Sequence, residues 1–184
     1  MQSLATKHGW HIAADGPTWR RVVASPEPLR IVEQPSIAML VNAGVIVICA
    51  GGGGAPVVEE ANGQLRGVEA VVDKDLTAMT LALALAADGL LLLTDVSAVM
   101  RDFGGSDPKP IRRLALDEVA GLSLPAGSMG PKVAACVRFT AASGRPSAIG
   151  ALSDAVAILA GDAGTTIVPT TQRSLMAVGG VRPS

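Results

Sequence analysis

A lysine between two aspartates, Asp73-Lys74-Asp75, follows an apolar pair and opens a segment rich in helix formers. The main-chain N–H groups at the start of a helix point outward, so such a position attracts anions. Lys74 could contact a transferring phosphoryl group while one aspartate holds its ammonium, because phosphoryl transfer mainly requires positioning and neutralisation of charge. The alternative interpretation is an N-capping aspartate beside a solvated lysine.

A second unusual segment is a run of four consecutive glycines, Gly51, Gly52, Gly53 and Gly54. Glycine packs nothing and loses much entropy on folding, so a nearby phosphate, a close piece of backbone or a loose loop must explain the run. No Gly-Lys-Ser/Thr follows, and Pro56 stands where GxGxxG requires its third glycine, so neither common nucleotide motif is present. A tight turn and a phosphate cradle both remain open.

A third segment, "PAGSMGPKVAA", places small residues before a helix and Lys132 in its first turn. A plain capped helix would explain Ser128 as N-cap and Pro131 in the first turn. It would not require the glycines or the lysine, which favours a ligand that approaches the backbone. Thr94-Asp95, directly after an apolar run, is a further candidate because ligands bind at the carboxyl ends of strands in α/β sheets.

The order of apolar runs and helix-forming segments predicts an α/β domain with a largely parallel sheet covered on both faces. An Asn62-Gly63 turn predicts a β-ribbon after the glycines. The predicted strands are Val45–Cys49, Leu90–Thr94, Ser147–Leu152 and Thr165–Val168, and the predicted helices are Asp75–Ala87, Ser128–Ala142, Asp154–Ala160 and a helix that covers Ile37–Asn42 and ends at Gly44.

Composition narrows the function classes. With 184 residues, 49% of them hydrophobic and 17% charged, the chain is expected to fold as one globular domain. A net charge of -1 and 2% aromatic residues argue against a nucleic-acid partner. Asp88 and Gly89 interrupt the most hydrophobic segment, so no membrane span is expected. The absence of a signal-like N-terminus predicts a cytoplasmic protein.

The remaining residues that could act as ligands or nucleophiles have ordinary structural interpretations. Cys49 and Cys136 have no metal-type or CxxC spacing and are expected to be two buried thiols. His8 and His11 have no accompanying metal-ligand set and are expected at the surface, so no metal site is predicted from protein side chains.

The motifs "RRVVASP", "VICAGGGGAPV", "GVEAVVDKDL", "LLLTDVSAV", "GSMGPKVAACVRF" and "GTTIVP" occur in an order and spacing that resemble the carbamate kinases of the amino acid kinase superfamily. The resemblance runs from about Gly9 to Pro169. It implies a three-layer α/β/α sandwich and reversible phosphoryl transfer between ATP and carbamate, giving ADP and carbamoyl phosphate, with Mg²⁺. It also implies a homodimer.

The resemblance further implies residue roles. Lys74 would contact the phosphoryl group in flight, Asp75 would organise the catalytic lysines, and Lys132 would bind the terminal phosphates of the nucleotide. The four glycines would line the site around the acceptor and the transferring phosphate. The nucleotide itself would be framed by Thr94, Asp95, Val96, Gly127, Ser128 and Met129.

The sequence also departs from the family pattern. The family's N-terminal segment, with another glycine-rich turn and another active-site lysine, precedes the region that matches this chain. The prediction is therefore residues 1–169 as the nucleotide-binding portion of the domain and residues 170–184 as a disordered tail. An incomplete site leaves a second hypothesis, a nucleotide-binding or regulatory module without catalysis, and a third, a purely structural remnant.

Overall fold

The structure is a computed structural model that describes residues 2–122 and 129–170. Its backbone divides into two compact units, Met1–Leu90 and Leu91–Ser184. Apart from Thr170, the predicted tail lies outside the described residues, as do Gly127 and Ser128.

The first unit consists of short helices and two antiparallel hairpins, β1–β2 and β3–β4. The predicted ribbon with its Asn62-Gly63 turn is confirmed as β3–β4, and the helix that ends before Gly44 is confirmed as α2. The elements are α1 (Gln2–His8), β1 (Ile12–Asp15), β2 (Thr18–Arg21), α2 (Gln34–Asn42), β3 (Val57–Glu59), β4 (Leu65–Gly67) and α3 (Lys74–Ala84).

The N-terminal hairpin β1–β2 was not apparent from the sequence. Its base is held by Trp10, whose ring stacks on His8 at 4.8 Å and lies under the Arg21 guanidinium at 4.6 Å. Arg21 also pairs with Glu69. His8 and His11 are exposed as expected. The ring and cation contacts of Trp10 stabilise the position of this N-terminal hairpin.

The prediction of a strand at Val45–Cys49 is wrong for the described residues. This segment has no regular secondary structure, and the side chains of Ile46 and Ile48 are 93% and 98% exposed. Its β-branched composition suits a strand, but a strand also needs a neighbour that supplies main-chain hydrogen bonds. No such neighbour for these residues lies within residues 2–122 and 129–170.

The second unit contains the main sheet, and the predicted strands at Leu90–Thr94 and Thr165–Val168 are confirmed with these bounds. Leu90, at the boundary, begins the first of them. Two short 3₁₀ segments, Leu116–Gly121 and Leu152–Asp154, connect the other elements. These elements are β5 (Leu90–Thr94), β6 (Met100–Arg101), β7 (Lys109–Pro110), β8 (Arg113–Ala115), α4 (Met129–Ser143), β9 (Ser147–Ala151), α5 (Ala155–Ala160) and β10 (Thr165–Val168).

The main sheet has the order β5-β9-β10-β8 and is mixed, so the expectation of a mainly parallel sheet holds only in part. Strand β10 runs parallel to β8 but antiparallel to β9. The connection between β9 and β10 contains α5, a helix of six residues that ends at Gly161 in the left-handed conformation.

The core of the second unit lies between α4 and the sheet, where α4 packs on β9 and β10. Phe139, Ile149 and Ile167 are fully buried there. The buried hydroxyls of Thr140 and Ser147 form a hydrogen bond with each other at 2.8 Å, so neither hydroxyl is buried without a partner. In the described parts of the chain, no helix has the length and apolar character to traverse a bilayer.

The two cysteines differ in environment. Cys136 on α4 is completely buried, as expected, whereas Cys49 is exposed. The expectation of two buried thiols therefore fails at Cys49, because it belongs to the segment that was predicted to be an internal strand.

Candidate active site

The start of α3 is organised by Asp73. Its carboxylate Oδ1 accepts hydrogen bonds from the main-chain N–H groups of Asp75 at 2.8 Å and Leu76 at 3.0 Å. The backbone of Asp73 is extended, with φ -66° and ψ 124°, as expected for an N-cap residue. Of the two aspartates that flank Lys74, Asp73 therefore caps the helix and does not hold the lysine.

Replacing Asp73 by alanine is expected to lower the free energy of unfolding by about 1 kcal/mol, since two main-chain donors lose their acceptor. Serine or asparagine at this position should restore most of that loss, because both are good N-caps. Denaturant unfolding of the three variants measures this. Equal stability of alanine and serine variants would contradict the capping role.

Lys74 is the first residue of α3, and its side chain is 60% exposed. The neighbouring Asp75 side chain is 8% exposed, and its Oδ2 lies 4.0 Å from the Lys74 Nζ. This distance permits electrostatic attraction without a hydrogen bond. The arrangement holds a cation loosely at the start of α3. The N–H groups of Asp75 and Leu76 already donate to Asp73, so the exposed Lys74 ammonium is the group that an anion can reach.

The glycine run forms a tight loop against the start of α3. Two hydrogen bonds hold Gly53 in place. Its carbonyl accepts a 2.9 Å hydrogen bond from the buried Thr77 hydroxyl, and its N–H donates to Ala50 O at 2.8 Å. A Cβ on Gly53 would lie 2.3 Å from the Val72 carbonyl oxygen. The close approach of two backbones therefore explains Gly53 without any ligand.

The other three glycines of the run are not explained by a close backbone contact. Gly51 and Gly54 adopt φ angles of +44° and +89°, which disfavour any residue with a Cβ. Gly52 has neither a left-handed φ nor a neighbour within 4 Å of a would-be Cβ. Backbone geometry and packing do not require glycine at this one position, so bare main chain at Gly52 is available for a ligand.

Within the first unit, the structure thus brings two predicted segments together, the glycine loop and Asp73-Lys74-Asp75. Thr77 joins them, because its hydroxyl contacts both Gly53 O and, at 3.0 Å, Asp73 O. Sequence reasoning missed Thr77. The available signal was a polar residue four positions after the N-cap, followed by a mostly apolar stretch of helix.

The second unit holds the remaining described candidates. Thr94 is the last residue of β5, and its hydroxyl is 3.0 Å from a carboxylate oxygen of Asp95. Val96 is exposed. Met129 begins α4, and Lys132 lies in its first turn as predicted, with only 5% of its surface exposed.

A glycine loop that leaves main chain accessible beside a lysine at a capped helix start is an arrangement typical of phosphate-binding α/β proteins. The model of the amino acid kinase family matches residues 1–151, and the chain belongs to that family.

The curated relatives that the chain resembles are carbamate kinases. It is 45% identical to the one from Escherichia coli over 167 residues, and 45% identical to the one from Thermococcus kodakarensis over 172 residues. The match covers 91% of this chain in both cases, but 55% and 54% of the relatives. The chain therefore spans about half the length of the curated relatives it matches.

A solved structure of carbamate kinase from Giardia lamblia bound to AMP-PNP has a similar backbone. Its TM-score is 0.82 at 42% identity, and the match covers 91% of this chain and 54% of that chain. The fold of the described chain is thus that of one part of a larger amino acid kinase fold.

Proposed function

We propose that the protein catalyses reversible phosphoryl transfer between ATP and carbamate. The observation that carries the proposal is Lys74, an accessible ammonium at the capped start of α3, against which the glycine loop packs through Gly53. The identity of about 45% to carbamate kinases supplies the acceptor class.

In the direction that forms ATP, the bond between phosphorus and the carbamate oxygen breaks and a bond to the terminal phosphate oxygen of ADP forms. Negative charge spreads over the oxygens of the transferring group, and a fixed cation close to them lowers the barrier. Lys74 is proposed to be that cation, with Asp75 restraining its position. The exposed main chain of Gly52 is proposed to contact the same oxygens.

The nucleotide is proposed to bind in part through the second unit. Lys132 would contact its terminal phosphates, as the first turn of α4 is a favourable place for anions. The adjoining contacts would come from Thr94, Asp95, Val96 and Met129, with Gly127 and Ser128, which lie outside the described residues.

Mg²⁺ is proposed to enter with the nucleotide. Across the described ranges, no three His, Cys, Asp or Glu residues are grouped as a metal cage. Mg²⁺ usually keeps several waters and takes substrate phosphates with one or two carboxylates, so such a cage is not needed. When bound, the ion neutralises phosphate charge.

Three further features belong to this proposal: a three-layer α/β/α sandwich for the complete fold, a homodimer, and a cytoplasmic location. They rest on the family resemblance and on the sequence. The second candidate function is the alternative from the sequence, nucleotide binding without turnover.

The test combines calorimetry with Mg-ADP and an assay of ATP formed from carbamoyl phosphate and ADP. We expect both a heat of binding and ATP formation. Binding without ATP would favour the second candidate, and the absence of both would overturn the two proposals together.

A further inference from the structure

Thr77 is the fourth residue of α3 and is almost fully buried, with 3% of its surface exposed. Its hydroxyl is 2.9 Å from Gly53 O and 3.0 Å from Asp73 O. A threonine hydroxyl carries a single proton, so it cannot be fully donated to both carbonyls at once. The direction of that donation decides whether the Thr77 hydroxyl serves its own helix or the glycine loop.

The two carbonyls differ in the other donors that reach them. Asp73 O already accepts a hydrogen bond from the Thr77 main-chain N–H at 2.9 Å. By contrast, no main-chain N–H within residues 2–122 and 129–170 donates to Gly53 O, and Gly53 is buried. Because a buried carbonyl without a donor is costly, the hydroxyl proton belongs to Gly53 O.

The hydrogen bond from Thr77 joins the glycine loop to α3. The Gly53 N–H donates to Ala50 O, which turns the loop upon itself. The Thr77 hydroxyl instead reaches Gly53 O from 24 positions further along the chain. Gly52 and Gly54, on either side, are exposed. The bond therefore fixes the loop from its buried side and leaves the outer main chain open.

Lys74 precedes Thr77 by three positions on α3. Residues three apart lie on the same side of a helix, so the loop that Thr77 holds lies on the side from which Lys74 projects. The Lys74 side chain is 60% exposed, and its Nζ is 4.0 Å from the nearest Asp75 oxygen. This loose ion pair does not fix the loop, so the separation of the loop from α3 depends on the bond between Thr77 and Gly53.

We propose that Thr77 is a positioning residue for a bound phosphate group. Its hydroxyl holds the glycine loop at the start of α3, so that the exposed main chain of Gly52 and the Lys74 ammonium face the same phosphate oxygens. The inference rests on the proposed function, in which both groups contact the transferring phosphate. A loop that is already ordered loses little entropy when phosphate binds, so the hydroxyl strengthens binding more than it speeds the chemical step.

The test compares three variants of the full chain. Thr77→Val removes the hydroxyl and keeps the shape, Thr77→Ser keeps the hydroxyl, and Thr140→Val is the matched control. Thr140 is also a fully buried helical threonine, and its hydroxyl bonds to Ser147 at 2.8 Å in the second unit. Denaturant unfolding should show a similar loss of stability for the two valine variants, because each removes a buried hydrogen bond.

Two NMR measurements require no turnover. Exchange of the Gly53 N–H with solvent should become about 10-fold faster in Thr77→Val, the loss that one ordinary hydrogen bond accounts for. Inorganic phosphate should shift the Gly52 amide signal, and its half-saturating concentration should rise about 10-fold in the same variant. Thr77→Ser and Thr140→Val should match the unsubstituted chain in both measurements.

Steady-state kinetics add a third measurement. In Thr77→Val the KM for carbamoyl phosphate should rise about 10-fold while kcat stays within about 2-fold, because the interaction that is lost contributes equally to the ground state and the transition state. A purely structural role of Thr77 would lower the amount of active protein, and with it the apparent kcat, without changing KM.

Other outcomes would overturn the proposal. In the unsubstituted chain these are the absence of a phosphate-induced shift at Gly52, or a Gly53 N–H that exchanges as fast as that of Gly52, and both hold even where Thr77→Val does not fold. Equal weakening of phosphate binding by the two valine variants, or by Thr77→Ser and Thr77→Val, would also overturn it. If no variant forms ATP while phosphate binding still depends on the hydroxyl, the proposed function fails and the positioning role stands.

Discussion

Replacing Lys74 by alanine is expected to reduce formation of ATP from carbamoyl phosphate and ADP by about 100-fold or more, the typical effect of removing one group that stabilises transition-state charge. The free energy of unfolding should change by less than about 1 kcal/mol, because an exposed ion pair contributes little. The Lys74 side chain is mostly in solvent, and Asp75 is 4.0 Å away. Initial rates at saturating substrates, together with denaturant unfolding, measure both quantities.

Lys109 offers a matched control for this variant. It is also an exposed lysine with an aspartate partner, Asp107, at 2.9 Å, but it lies on β7 in the second unit. Lys109→Ala should leave the rate unchanged. Lys74→Arg should recover only part of the activity, because a guanidinium presents its charge with a different shape. Full activity of Lys74→Ala would remove the central residue of the proposed mechanism.

Replacing Gly53 by alanine is expected to lower the free energy of unfolding by about 3 kcal/mol, which combines backbone strain with a steric clash. Gly53 has a φ of +132°, and the added methyl group would lie 2.3 Å from the Val72 carbonyl oxygen. Relief of this clash requires displacement of the loop, with loss of the hydrogen bond from Thr77 to Gly53 O. Thermal and denaturant unfolding report the loss.

Gly52→Ala is the control one residue away. Its φ lies outside the left-handed region and a Cβ there meets nothing within 4 Å. Its stability should therefore stay the same or rise by up to about 1 kcal/mol. If phosphate oxygens approach this main chain, the same variant should raise the KM for carbamoyl phosphate. Similar destabilisation by the two alanines would contradict the packing account of Gly53.

Several elements could be predicted from the sequence because local signals suffice for them. Helix α3 begins where an N-capping aspartate precedes good helix formers, and β3–β4 turns at Asn62-Gly63. The strands Leu90–Thr94 and Thr165–Val168 are short apolar runs with clear boundaries. In each case the residues that decide the structure are neighbours in the chain.

The direction of β10 relative to β9 could not be predicted in the same way. Both strands were recognised, but a largely parallel sheet was expected from the alternation of helices and strands, and this pair is antiparallel. The antiparallel pairing depends on contacts between the two strands, which the order of helices and strands along the chain does not fix. The roles of the two aspartates beside Lys74 were also open, because the sequence places them symmetrically around it.

By itself, the sequence determined the residue types of the candidate site, the positions of most helices and strands, and the resemblance to carbamate kinases. Only the tertiary structure decided that Gly53 is required by Val72, that Gly52 is not required by packing, and that residues 45–49 have no partner in the described chain. The physical reason is that strand pairing and close backbone approach depend on residues distant in sequence, whereas caps, turns and propensities are local.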